Sequence, residues 1–163
     1  MGDDNEPRNL GMGTMIRMLS GNEESVTAYR ASIGKKITAI KLEDDKLHIS
    51  FANGTTLVAA DEAQSCCEKR YMTTDDNDLN YYVGSHLVSM EVMNGPSRED
   101  EHECHDIQFL DVKTTKGVFQ MVTHNEHNGY YGGFSVEFTL SAGGPVVPDA
   151  EEIVVPVPDD EEI

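Results

Sequence analysis

The sequence predicts an α+β protein that is mainly β, a twisted antiparallel meander of strands with one or two short helices. Short runs of alternating apolar and polar residues recur through the middle of the chain. Turn signals such as Asp44-Asp45, Asn53-Gly54 and Thr115-Lys116-Gly117 separate them. The connections between runs are short, which favours antiparallel neighbours.

Taken in order, residues 1–32 read as an N-terminal appendage. Met12, Met15, Ile16, Met18 and Leu19 are spaced to line one short helical face that Ser20-Gly21-Asn22 would end; the expectation is either that this face docks on the domain or on another subunit, or that the segment is a frayed arm. A single sheet domain is expected over 33–140. Lys36 to Leu42 alternates, Leu47 to Phe51 alternates again, and Thr55 to Val58 returns after the Asn-Gly turn. An acidic break follows from Asp61 to Asn80, in which Thr74 is placed to cap a short helix over Asp75 to Tyr82. Strands resume over His86 to Met93, Asp106 to Thr114, Val118 to Thr123 and Phe134 to Leu140. Residues 141–163 carry Pro145, Pro148, Pro156 and Pro158 with seven acids and no basic residue, the composition of a disordered, solvated tail. Its short Pro-Asp repeat at Pro148 and Pro158 needs no function beyond solubility.

The chain has 163 residues, 38% of them hydrophobic, enough for one modest core. Its net charge of −18 argues against nucleic-acid polymers and anionic membranes as partners. Residues 33–140 hold 9 basic and 18 acidic side chains, so the domain itself is less extreme, at −9. Three cysteines, two of them the adjacent Cys66 and Cys67, give no disulfide framework, and a reducing compartment is expected. No apolar run approaches the ~20 residues that span a bilayer, and the N-terminus lacks the pattern of a signal peptide. A soluble, intracellular protein is the expectation.

The most informative stretch is His124-Asn125-Glu126-His127-Asn128-Gly129-Tyr130-Tyr131-Gly132-Gly133-Phe134. Its imidazoles and amides need too many partners for a core. Tyr130, Tyr131 and Phe134 carry too much apolar area for a linker. Glycines such as Gly132 let a ligand approach the main chain, and amides suit the edges of a base or ribose. The stretch reads either as a ligand loop between two strands or as a hairpin whose tyrosines cover the core. A second stretch, Cys66-Cys67-Glu68-Lys69-Arg70-Tyr71-Met72, holds a rare cationic cluster. Arg70 offers a planar fork suited to phosphate and Lys69 a mobile point charge, unless Arg70 pairs with Asp75 or Asp76 on the surface. Facing one another, the two stretches would make a pocket for a small nucleotide.

Zinc ligands are conceivable among Cys66, Cys67, His102, Cys104, His105, His124 and His127. There is no Cys-x-x-Cys pair, however, and no metal or other cofactor is expected. Phosphate loops, nucleophile elbows and zinc-protease patterns are absent from the sequence, and no catalytic residue is assigned. Glu126 between His124 and His127, or Cys67 with His124, lacks an identifiable orienting partner.

Ser65-Cys66-Cys67-Glu68-Lys69-Arg70-Tyr71-Met72, Asp75-Asp76, Leu79, Tyr82-x-Gly84 and the stretch from His124 to Phe134 together resemble a group of small phage proteins. The chain is similar, over roughly residues 33–140, to the first type of Thoeris anti-defence protein. That resemblance implies a homo-oligomer in the cytoplasm of an infected bacterium. It further implies that a cyclic ADP-ribose-type signal, and in some members cyclic oligonucleotides, is sequestered uncleaved. Residue roles are not transferred with it. From the side chains alone, Arg70 and Lys69 are assigned to phosphate, and Tyr130 or Phe134 to stacking adenine. Asn125 or Asn128 is assigned to ribose or base edges, with Tyr71, His124, Tyr131 and Gly132 completing the site. Two other classes stand beside this one: an acidic protein-interaction module that inhibits a host protein, and a weak hydrolase of the same nucleotides.

Overall fold

The computed structural model describes residues 23–61, 68–76, 78–95, 98–99, 104–127, 134 and 136–155. It opens with helix α1 (Glu23–Ser32) and continues through β1 (Ile37–Glu43), β2 (Lys46–Phe51), β3 (Thr56–Asp61) and β4 (Glu68–Thr74). A 3-10 turn (Leu79–Tyr82) leads to β5 (Leu87–Asn94), the short β6 (Arg98–Glu99), β7 (Cys104–Thr114), β8 (Gly117–His127) and β9 (Val136–Ser141). The fold is mainly β and antiparallel, as the alternation predicts, but the strands divide into two sheets. One has the order β1-β2-β3-β9 and the other β4-β8-β7-β5, with β6 also pairing with β7. Among the described residues no helix is long and apolar enough to cross a membrane.

The inward faces meet in one core. Leu47, Ile49, Phe51, Leu57, Ala59 and Phe138 come from the first sheet, and Met72, Met90, Val92, Leu110, Val112, Phe119 and Met121 from the second. Each large side chain buried there contributes about 1.5–3 kcal/mol. Register is set by the turns. Glu43 pairs with Lys46 across a two-residue loop in which Asp44 (φ 56°) and Asp45 (φ 61°) are both left-handed. Thr114 pairs with Gly117 across Thr115-Lys116, where the Thr114 hydroxyl donates to the Gly117 carbonyl at 2.8 Å. Asn53-Gly54 does link β2 to β3, with Gly54 at φ +88° and the Asn53 carboxamide oxygen accepting from Thr55 N–H at 3.1 Å.

Three expectations change. The appendage ends before residue 23, because α1 is part of the core, with Ala28 and Tyr29 buried. Its hydroxyls satisfy two strands. Ser25 Oγ accepts from the Phe138 N–H at 2.9 Å and donates to the Phe138 carbonyl at 3.2 Å. Tyr29 does the same at Met90, accepting at 3.1 Å and donating at 3.5 Å. Burial, reinforced by the charge of Glu91 and partly offset by the Met90 bond, pushes the Tyr29 phenol up to about 12. The apolar face expected over Met12 to Leu19 lies outside the described residues.

The helix expected over Asp75 to Tyr82 contracts to the 3-10 turn. Thr74 does not cap it: its hydroxyl donates to the Gln120 carbonyl at 2.8 Å and accepts from Asp76 N–H at 3.1 Å. Nor is the whole region after 140 a solvated tail. Residues 142–155 run as a strap whose backbone donates from Gly144 to Gly54 (2.9 Å), Val147 to Ala52 (2.7 Å) and Ile153 to Gly34 (3.0 Å). Acid content misleads here, because most of the anchoring groups are main-chain, and one of the acids, Glu152, is itself an anchor, accepting from Lys35 Nζ at 3.0 Å. Residues 156–163 lie outside the described residues.

Gly34, at φ +87°, receives the strap so closely that a Cβ there would lie 2.2 Å from the Ile153 carbonyl oxygen. Gly34→Ala is therefore expected to lower stability by about 1–3 kcal/mol from the backbone conformation alone, and more through the clash. Urea unfolding followed by circular dichroism reads this out, and an unchanged midpoint would contradict the placement of the strap.

Candidate functional site

The two informative stretches become hydrogen-bonded neighbours. β4 pairs with β8 so that Glu68 opposes His127, Lys69 Glu126, Arg70 Asn125, Tyr71 His124 and Thr73 Val122. β4 was hidden by its charges: Glu-Lys-Arg breaks the apolar alternation by which a strand is recognised. The sequence pattern ends β8 at Thr123, because His124 to His127 has no apolar residue to continue the alternation, whereas the strand continues to His127. The expected eleven-residue loop thus begins as strand, and its remainder up to Gly133 lies outside the described residues. Asn128, Tyr130, Tyr131 and Gly132 fall there; Phe134 is half-buried just before β9.

Alternation along β4 and β8 sorts the side chains onto two faces. The outer face carries Lys69, Tyr71, Thr73, His124 and Glu126. The Tyr71 and His124 rings are parallel, with centroids 4.4 Å apart and planes 7° from coplanar. Tyr71 donates its phenolic hydrogen to the Glu126 carboxylate, and Lys69 Nζ stands 5.5 Å from the Tyr71 ring centroid. Burial first, then the hydrogen bond and charge of Glu126, push the Tyr71 phenol up to about 12. His124 is held from both sides, its Nε2 2.8 Å from Thr73 Oγ1 and its Nδ1 2.9 Å from His105 Nε2 on β7. Spacing along the chain does not reveal His105 and Thr73 as its partners, because only the strand register brings them together.

Burial, followed by the neighbouring His105, depresses the His124 pKa, against a weaker upward pull from Glu126 and Asp75. The neutral imidazole is therefore the folded form at pH 7. A folded-state pKa below the unfolded value means that this stabilisation is complete above about pH 6.5 and is lost as the pH falls through the depressed value. An NMR titration should place the His124 ring midpoint below 6.5; a midpoint at or above it would contradict this arrangement.

The inner face is different. Arg70 is buried, its Nη1 2.7 Å from Asp61 Oδ2 and its Nη2 2.7 Å from Glu68 Oε2. Its Nε donates to Glu68 Oε1 at 3.3 Å, and the Asn125 amide donates to Glu68 Oε2 at 3.3 Å. Burial works against the guanidinium charge, but Glu68 and Asp61 together outweigh it and raise the pKa above its ordinary value. Arg70 is thus withdrawn as the phosphate cation, because two carboxylates already fill its fork and little of it reaches solvent. It does not pair with Asp75 or Asp76 either. Asn125, fully buried beside Glu68, is likewise withdrawn as a contact to ribose or base. Further along this face His127 Nε2 lies 2.8 Å from Asp106 Oδ2, a pairing across strands that spacing alone does not show.

Of the zinc candidates, His105 and His124 bond each other on the outer face, while Cys104 pairs in register with His127 on the inner one. Cys66, Cys67 and His102 lie outside the described residues. Among the described residues no group of three or more His, Cys, Asp or Glu side chains is placed to hold a metal ion.

Fold and site together define a small two-sheet β protein with a polar, aromatic ledge on one sheet. The model of DUF7448, a domain of unknown function, matches residues 30–136, from within α1 to the first residue of β9, and the chain belongs to that family. Comparison with curated proteins and with solved structures gave no match.

Breaking a buried ion pair from one side costs about 3–5 kcal/mol. Arg70→Met should therefore be severely destabilised in urea unfolding. A variant of native stability would remove Arg70 from the interior and return it to the list of ligand contacts.

Proposed function

We propose that this protein binds a cyclic ADP-ribose-type signalling nucleotide and holds it without cleaving it, as an anti-defence sponge of the Thoeris type. It would do so as a homo-oligomer in the cytoplasm of the infected bacterium. The observation that carries this reading is the β4–β8 pairing. It sets Lys69 and Tyr71 beside His124 and Glu126 on one accessible face, at the point where β8 leads into Asn128-Gly129-Tyr130-Tyr131-Gly132-Gly133.

The parts suit such a ligand. Stacked Tyr71 and His124 offer an aromatic platform to a base, with Tyr130 or Phe134 as the opposing ring. Glu126 accepts hydrogen bonds from ribose hydroxyls, and Asn128 supplies an amide for a base edge. Lys69 takes the phosphate role that Arg70 relinquishes. Binding without turnover fits the ledge better than hydrolysis, since the two histidines are in direct hydrogen bond and leave no gap for a scissile group between them. Screening over about 8 Å limits the repulsion between an anionic ligand and the acidic surface.

The test is depletion. Purified protein is mixed with a panel of cyclic ADP-ribose isomers and cyclic dinucleotides and filtered away, and free ligand is assayed before and after heat denaturation. One ligand should vanish and return intact. Tyr71→Ala should weaken its capture about tenfold or more, in keeping with about 1–3 kcal/mol per stacked base, and Lys69→Ala should weaken it less. A ligand that returns cleaved would make the protein an enzyme. If no ligand is depleted, the nucleotide reading falls.

A further inference from the structure

The strap carries a sequence that the chain repeats. Val147-Pro148-Asp149-Ala150-Glu151-Glu152-Ile153 returns ten residues later as Val157-Pro158-Asp159-Asp160-Glu161-Glu162-Ile163, identical at six of seven positions. The first copy is seated in a groove between the residues that follow β2 and those that join α1 to β1. Its Val147 and Ile153 N–H groups donate to the Ala52 and Gly34 carbonyls. His86 Nε2 lies 2.8 Å from the Glu151 carbonyl oxygen, and Lys35 Nζ lies 3.0 Å from Glu152 Oε1. Asp149 is left-handed, at φ 64°, a conformation that Asp tolerates better than most residues. Every one of these requirements is met again in the second copy. The main-chain donors and acceptor come with the backbone, and Asp159 and Glu162 repeat the turn residue and the ion-pair partner. The single difference falls where the groove is unfilled. A cavity of about 220 Å³ lies beside the seated strap, with Ala150, Lys35 and Lys36 in its lining. Lys35 is taken by Glu152, whereas Lys36 forms no ion pair with a described residue. Ala150 offers this cation only a methyl group. At the equivalent position the second copy has the carboxylate of Asp160.

We propose that this groove is a binding site for an acidic Val-Pro-Asp-Asp-Glu-Glu-Ile peptide, and that its second occupant is residues 157–163 of the same chain. They dock in place of 147–153, with Glu162 on Lys35 and Asp160 on Lys36. The segment now seated is the poorer of the two ligands that the chain carries, since it leaves one cation unmatched. Its release is cheap, because the strap lies largely exposed and is held by a handful of bonds. Only residues 154–156 separate the copies, roughly 10 Å of extended chain. Both therefore cannot sit in one groove, and docking is an exchange. The connection from β9 lengthens by ten residues in that exchange, but closure entropy rises only with the logarithm of loop length. The acidic repeat thus has a use beyond solubility.

The experiment is carbodiimide cross-linking of the full chain, which joins an amine to a carboxylate already in contact, followed by peptide mapping in a mass spectrometer. An equal mixture of ¹⁴N- and ¹⁵N-labelled protein separates links within a chain from links between chains. Lys35–Glu152 links report the seated copy. Lys35–Glu162 and Lys36–Asp160 links, both within one chain, are expected beside them. Asp160→Ala, which leaves Glu162 in place, should cut the Lys35–Glu162 yield up to about fivefold, the range of a partly exposed ion pair. Ala150→Asp, which gives the nearer copy the same carboxylate, should suppress it likewise. The proposal is overturned if Lys35 links to Glu152 alone. It is also overturned if Asp160→Ala leaves the Lys35–Glu162 yield unchanged, which would mean that the chain end merely collides with the surface. Lys35–Glu162 links of mixed isotope would overturn it too, in favour of a second copy of the chain as the occupant.

Discussion

The buried guanidinium of Arg70 is the constraint around which the functional end of the molecule is arranged. An ion in the interior is tolerable only when its charge is matched and its donors are used. Asp61 and Glu68 do this from opposite directions, one at the end of β3 in the first sheet and one at the start of β4 in the second. The pair therefore ties the sheets together where the core runs out of apolar side chains. With β4 held there, its alternate residues must face outward beside β8, and the ledge of Lys69, Tyr71, His124 and Glu126 follows. The residue that looked most like a ligand contact is the one that builds the support for the others.

A different device closes the opposite side. The edges of β9 and β5 would each present unpaired backbone groups to other chains. One hydroxyl from α1 answers both the donor and the acceptor at Phe138, and a second does so at Met90. A short helix thus serves two sheets, using side chains that serve as both donor and acceptor. The ring of Tyr29 adds apolar area, stacked on Phe138 with centroids 5.7 Å apart.

How much of this was legible depended on whether local pattern or long-range pairing decided the outcome. Leu47 to Phe51 alternates cleanly, and Asn53-Gly54 turns the chain, so the hairpins of the first sheet were readable. The strand Glu68 to Thr74 was not, because its inward positions include Glu68 and Arg70, whose burial makes sense only once each has found the other. His124 to His127 looked like loop for a similar reason, since both faces of that strand end are polar. Helix α1 has little apolar periodicity and draws its fit from Ser25 and Tyr29, whose partners are far away in sequence. The ledge was half legible: Lys69, Tyr71 and His124 were named as site residues, but Asn125 and Arg70 alternate to the other side, a distinction that needs the register.

The bonds of α1 also set the order in which the chain can be completed. Ser25 meets Phe138 across 113 residues of sequence, and Tyr29 meets Met90 across 61. Contacts of such separation are entropically late, and proteins dominated by them fold in roughly milliseconds to seconds. During synthesis the helix emerges well before either strand edge that receives its hydroxyls. The side that carries Ser25 and Tyr29 must wait in water, or in the hold of a chaperone, until β9 has left the ribosome. The element made earliest in the described fold is thus among the last to find its place, and the nascent chain remains incomplete until the ninth strand is made.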